Sequence, residues 1–96
     1  MDITDLQNAV EHLHDCHATF REIVEVLEEY NGEPVWEGEV SVFQITGHPD
    51  ADTCYAWGSP TDEEPFVKYY AVLKLPPIET PLDAVRASIV HDYRSK

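Results

Sequence analysis

The residues best suited to chemistry lie close together, in the segment His12-Leu-His14-Asp15-Cys16-His17. Imidazole and thiolate groups are common zinc ligands, and ligands on one helix must lie three or four residues apart to share a face. Two pairs in this segment have that spacing, but they point in different directions. A tetrahedral site would need further ligands, such as His48 or Cys54. We therefore predict no bound metal and no cofactor.

Nucleophilic catalysis by a thiol needs a base within hydrogen-bonding reach. Cys16 and His17 are adjacent, so on a helix their side chains diverge by about 100° and cannot face each other. The sequence contains neither a glycine-rich phosphate loop nor a G-x-S-x-G motif. Glu37 and Glu39 share one face of a predicted strand and could act as a carboxylate pair. We predict that the protein is not an enzyme, and a small metal or thiol enzyme is the least favoured of three alternatives.

Net charge is the dominant compositional feature. Nineteen acidic and six basic residues give a formal charge of −13, and residues 1–67 contain sixteen of the acids with a single base. Such a surface repels phosphate backbones, which predicts no direct binding to nucleic acid. It attracts basic protein surfaces. Acidity also favours solubility, so a structural or housekeeping domain with incidental charge is the competing interpretation.

Residues 5–30 are predicted to form one long amphipathic helix. Thr4 and Gln7 fit a capping box at its start, and Asn31-Gly32 fits a helix stop. The apolar positions follow one another at intervals of four and three: Leu6, Val10, Leu13, His17, Phe20, Val24 and Leu27. That spacing places them on a single helix face.

Three strands and a second helix are predicted in the rest of the chain. Residues 66–75 alternate apolar and polar side chains and end at a Pro-Pro pair, which indicates a strand. Residues 35–46 and 53–58 indicate two others. Thr80, Pro81 and Asp83 have the residue types of a helix start, with Thr80 as N-cap.

The predicted fold class is α+β, in the order α-β-β-β-α. Short connections favour a three-stranded antiparallel meander, and we expect both helices to pack on one face of it. Ninety-six residues predict a single domain spanning residues 1–96. The open sheet face and the long helix are the two surfaces available for a homodimer, which we also predict.

The chain has no apolar run near 18 residues and no apolar segment of the signal-peptide type near its N-terminus. Its two cysteines are too few for a disulfide framework, so we expect reduced thiols. These features predict a cytoplasmic protein that does not interact with a membrane.

The favoured functional hypothesis is an acidic protein that docks on a basic protein surface and inhibits a nucleic-acid-binding protein. In size, charge and lack of catalytic motifs the chain resembles small phage-type inhibitors, including anti-CRISPR proteins and DNA mimics, and this likeness is one of composition alone. The predicted partner-binding residues are Glu22, Glu25, Glu28, Glu29, Glu37, Glu39, Asp62, Glu63 and Glu64. A second candidate surface is aromatic, if some of Trp36, Tyr55, Trp57, Phe66 and Tyr70 lie on an uncovered sheet face; the alternative is that at least half of them belong to the core.

Overall fold

The computed structural model describes residues 3–60 and 67–94, and these residues form an antiparallel sheet with two helices. The elements in chain order are α1 (Ile3–His14), β1 (His17–Tyr30), β2 (Glu33–Thr46), β3 (Thr53–Pro60), β4 (Val67–Leu73) and α2 (Pro81–Arg94). The strands lie side by side in the order β1-β2-β3-β4. The α+β class is thus confirmed, but the sheet has four strands where the sequence predicted three.

The predicted long helix is wrong beyond His14. Helix α1 ends there, and Asp15 takes a positive φ of 49°, a conformation that aspartate tolerates better than most residues. Residues 17–30 form strand β1 instead. This segment is rich in β-branched and aromatic residues, which fit a pleated surface better than a helix.

A bulge in β1 changes which of its residues share a face. Phe20 pairs with Phe43 and Glu22 pairs with Val42, so Arg21 is an extra residue in the ladder. An inserted residue shifts the alternation of side chains by one. Phe20 and Ile23 therefore share a face although they are three positions apart, a spacing that one face of a helix would also have.

The Asn31-Gly32 dipeptide joins β1 to β2 in a tight hairpin. Both residues have positive φ, 54° and 81° respectively. Positive φ at both central positions is typical of the two-residue turn that matches the twist of the flanking strands, and Asn-Gly is its preferred sequence. The predicted helix stop is therefore a hairpin turn, and the two long strands beside it pair over nearly their whole length.

The two helices pack against alternate residues of β3. Leu6 and Val10 of α1 lie in a buried cluster with Cys54 and Ala56. Val85 of α2 belongs to a second cluster, with Tyr55 and Trp57 as its β3 members. Because neighbouring side chains on a strand point to opposite faces, α1 and α2 cover opposite faces of the sheet. The prediction that both helices share one face is wrong, and the two faces are named here the α1 face and the α2 face.

Helix α2 begins as the sequence predicted. The Thr80 side chain accepts a hydrogen bond from the Asp83 amide at 3.1 Å, and the Asp83 carboxylate accepts one from the Thr80 amide at 3.2 Å. This reciprocal pairing satisfies donors that a helix start leaves unpaired. The Thr80 cap is therefore confirmed, and it fixes the point at which α2 starts to cover the sheet.

Aromatic rings fill the core beneath α2. Trp57 is only 2% exposed; its ring stacks on Tyr70 at a centroid distance of 5.2 Å and meets Trp36 edge-to-face at 5.9 Å. Tyr55 is buried in the same cluster. These four aromatic side chains therefore belong to the core, and the predicted uncovered aromatic face is wrong for them. Phe66 lies outside the described residues.

Candidate binding surface on the β1–β2 hairpin

Six of the nine predicted acidic residues lie on strands, and four of these six were expected on a helix. Glu22, Glu25, Glu28 and Glu29 belong to β1, while Glu37 and Glu39 belong to β2. Asp62, Glu63 and Glu64 lie outside the described residues. Across residues 17–46 the hairpin carries seven glutamates against one arginine, Arg21. Much of the acidic excess is therefore concentrated in one structural unit.

Strand alternation divides these acids between the two faces. Ser41 follows the alternation of the β2 residues in the α1-face cluster, so its side chain lies on the α1 face. Its β1 partner Ile23 therefore lies on that face too, and so do Glu25 and Leu27. The residues paired with Glu25 and Leu27 are Glu39 and Glu37. The α1 face of the hairpin therefore presents three glutamates and two large apolar residues beyond the reach of α1.

Two acidic residues of the hairpin lie on the α2 face, and the charge of one of them is balanced by a basic side chain. Glu28 forms an ion pair with Arg86 of α2, and its side chain is only 14% exposed. The hydrogen bond from Arg86 holds the pKa of Glu28 below its usual range. Glu22 is exposed on the same face. The ion pair therefore links α2 to the hairpin, and Glu28 is not part of the surface available to a partner.

Glu25 and Glu39 form a like-charged pair directly across the ladder. Both side chains are exposed, and Glu37 is the diagonal neighbour of Glu25. Opposed like charges destabilise a strand pair, by roughly 0.2–1 kcal/mol on the scale of cross-strand interactions. No basic side chain among the described residues forms an ion pair with any of the three.

A shallow cleft lies among these glutamates. It measures about 500 Å³ and is lined by Glu25, Val26, Leu27, Glu37, Gly38 and Glu39. The Trp36 ring packs close to Gly38, and a Cβ at that position would lie 3.1 Å from the ring. A larger residue at position 38 would therefore require the Trp36 ring to shift by a few tenths of an ångström.

Exposed apolar side chains accompany the acids, and two of them, Phe20 and Leu27, were expected on the apolar face of a helix. Ile23 and Leu27 are each 48% exposed, and Phe20 is 39% exposed despite its edge-to-face contact with Phe43. Val35, at the second irregularity of the hairpin, is also exposed. An apolar centre with a charged rim is a common composition of protein-binding surfaces.

The outer edge of β1 is partly capped by α1. The Ala18 amide donates to the Glu11 carboxylate at 2.9 Å, and the Ala18 carbonyl accepts from the Gln7 side chain at 2.7 Å. These contacts occupy the backbone groups that Ala18 directs away from β2. Shielding an edge in this way suppresses unwanted strand pairing.

The capping does not extend to the acidic half of β1. The Ile45 amide of β2 donates a hydrogen bond to the Asp52 carbonyl, on the side of β2 away from β1. Backbone groups alternate in direction along a strand. Ser41, Glu39 and Glu37 therefore also direct their backbone groups away from β1. Their partners on β1 direct theirs outward, where no described residue bonds to them. These partners are Ile23, Glu25 and Leu27.

The histidine and cysteine candidates do not assemble into a site. His14 bonds through Nε2 to the Ala71 carbonyl at 2.8 Å, and the Nδ1 atom of His48 accepts amide hydrogen bonds within its own turn. The two rings meet edge-to-face at 6.4 Å. Within residues 3–60 and 67–94, no three histidine, cysteine or acidic side chains are placed to hold a metal ion.

The two thiols are poor nucleophiles in this setting. Burial raises the pKa of Cys54 to about 12, and the neighbouring Cys16 thiol adds to that shift. Burial also raises the pKa of Cys16, assisted by the charges of Glu11 and Asp15. Since the thiolate is the reactive form, both groups are held in the less reactive state at neutral pH. Both cysteines are unbridged.

Comparison with protein-family models, with curated proteins and with solved structures finds no match. The helices of the described residues are too short or too polar to cross a membrane.

Proposed function

We propose that the protein is a binding protein that docks on a basic protein surface through its β1–β2 hairpin. The observation that carries this proposal is the group of three exposed glutamates, Glu25, Glu37 and Glu39, set around exposed apolar side chains on one face. The group works against folding through mutual repulsion, and a basic partner would relieve that repulsion.

The biological role we propose is inhibition of a nucleic-acid-binding protein by occupying its basic site, as phage-type inhibitors and anti-CRISPR proteins do. A strict DNA mimic needs a dense row of charges on one side, since duplex DNA carries one charge per about 1.7 Å of axis. The acids of β1 alternate between faces instead. The geometry therefore favours a compact basic patch as the target, and binding in place of catalysis is consistent with the two protonated thiols.

Charge reversal with affinity capture from the native host tests this proposal. The variant Glu25→Lys/Glu39→Lys changes two charges on the proposed surface. The control Asp50→Lys/Glu79→Lys makes the same change at two exposed positions outside the hairpin. We expect wild type and control to capture the same protein, to release it steeply as salt rises, and to lose it to competing nucleic acid. The hairpin variant should fail to capture it.

Two results would contradict the proposal. Equal capture by both double variants would show that the hairpin charges do not select the partner. A partner retained at about 1 M salt, where the screening length falls to about 3 Å, would show that its binding does not depend on these charges.

The proposed homodimer has no helix pairing to support it, because the helix that was to provide it ends at His14. The surface that remains for self-association is the part of the α1 face that α1 leaves uncovered, where Ile23 and Leu27 are exposed. Light scattering across a concentration series measures this directly, with 10.9 kDa as the monomer mass.

A further inference from the structure

We propose that the hairpin binds its partner by strand addition, with an extended lysine- or arginine-rich segment pairing as a fifth strand along Ile23–Leu27 of β1. This inference rests on the proposed function and adds a mode of binding and a chemical class of partner. The evidence for this mode of binding is the direction of the backbone groups at the sheet edge, which is independent of the charge of the surface.

The edge itself is the first part of the argument. Strand β1 is the outermost strand of the sheet, and Ile23, Glu25 and Leu27 direct their amides and carbonyls away from β2. At Ala18 the equivalent groups are occupied by Glu11 and Gln7 of α1. The edge is thus protected at one end and left available at the other, over a length that an extended peptide can pair with.

The side chains beside that edge define the incoming segment. Glu25 would lie directly beside an added strand, and Glu37 and Glu39 lie one strand further on the same face, so long basic side chains at alternate positions would extend over β1 towards all three. Ile23 and Leu27 on the same face are about half exposed and would be covered by the aliphatic stems of those residues. An alternating pattern of basic and small apolar residues fits both features.

A second copy of the chain fits the same edge poorly. Antiparallel pairing of β1 with its own copy about Glu25 would place the two Glu25 side chains opposite each other, and the strand carries four glutamates against one arginine. Opposed like charges disfavour such a ladder. Charge therefore selects a basic segment over self-pairing.

The test uses a capped nine-residue peptide of alternating lysine and valine, with amide hydrogen exchange of the full-length protein as the readout. In the free protein, the amides of Ile23, Glu25 and Leu27 should exchange fast. Those of Glu22, Val24 and Val26, which point towards β2, should exchange slowly and serve as an internal control. Saturating peptide should slow the first set about tenfold or more and leave the second set unchanged.

Two matched peptides separate strand addition from simple charge attraction. Methylation of the central backbone nitrogens keeps every charge but removes the donors, and should weaken binding about tenfold if two or three hydrogen bonds are lost. A helix-forming peptide of equal charge should bind without slowing exchange at Ile23, Glu25 or Leu27.

Each other outcome overturns the inference in a recognisable way. Salt-dependent binding of the alternating peptide with unchanged exchange at the three amides would show docking through side chains, and would leave the proposed function intact. Failure of the alternating peptide to bind would reject strand addition, while the capture experiment judges the proposed function separately. Protection of the three amides in the free protein that increases with protein concentration would identify a second copy as the occupant.

Discussion

Reversing one glutamate on the hairpin should stabilise the protein while weakening its proposed interaction. Glu25 lies directly opposite Glu39 and diagonally from Glu37, and all three are exposed. Directly opposed side chains approach to about 5 Å and diagonal ones to about 7.5 Å. At these distances in water, two like charges repel by about 0.8 and about 0.55 kcal/mol before screening.

Screening at 0.1 M salt, with a Debye length of about 10 Å, leaves roughly half of each value. Removal of the charge in Glu25→Gln should therefore stabilise the fold by about 0.8 kcal/mol at most. Glu25→Lys replaces repulsion by attraction and should gain up to about 1.5 kcal/mol under the same screening. For a domain of this size each kcal/mol raises Tm by about 4–8 °C.

Urea unfolding of wild type, Glu25→Gln and Glu25→Lys at low and high salt measures the effect. The order of stability should be Lys above Gln above Glu, and most of the difference should vanish at about 1 M salt. Asp50→Lys makes an equal charge change in the turn between β2 and β3 and should gain less, because no carboxylate faces it across a ladder. A Glu25→Lys variant that is less stable than wild type, or a gain unaffected by salt, would refute the cross-strand reasoning.

Three further predictions concern the core and the attachment of α2. A thiol reagent should leave Cys54 unmodified in the native protein, because burial raises its pKa to about 12. Mass spectrometry measures this, and rapid labelling of Cys54 or a two-dalton loss from a disulfide would contradict it. Trp57→Ala should lower the free energy of unfolding in urea by about 3–5 kcal/mol and Trp57→Phe by distinctly less, because the indole is buried against two rings. Equal losses in the two variants would contradict this account of the packing. The Tyr70 hydroxyl lowers the pKa of Asp92, so the unfolded chain binds the proton first and the stabilisation is lost as pH falls below about 4. The difference in unfolding free energy between wild type and Asp92→Asn should accordingly shrink in that range, and a constant difference would count against this assignment.

The sequence predicted the second half of the fold better than the first. Strands β2, β3 and β4 and the start of α2 lie close to their predicted positions, because alternation, prolines and the Thr80 cap are local signals. The β1 segment was assigned to a helix because Phe20, Val24 and Leu27 follow one another at intervals of four and three, although Val24 lies on the α2 face and the other two lie on the α1 face. The Asn31-Gly32 turn, flanked by β-branched and aromatic residues, was the available signal for a hairpin.

The candidate surface was predictable in composition and unpredictable in arrangement. Acidic residues at 22, 25, 37 and 39 could be expected at the surface from their charge. Which of them face each other depends on register, and a bulge changes the register by one residue. The exposure of Ile23 and Leu27 depends on where α1 ends, and the available backbone groups of β1 depend on which strand lies at the sheet edge.

The order of strands in the sheet has a consequence for how the chain reaches this structure. Each strand pairs only with its neighbour in sequence, so no long crossover must close before pairing begins. The β1–β2 hairpin has a two-residue turn and extends over most of two fourteen-residue strands, and hairpins of this type form in about 1–10 μs. During synthesis, which proceeds from the N-terminus, this hairpin can therefore pair before α2 has emerged to cover it. In that interval its glutamates would limit association with other exposed strands.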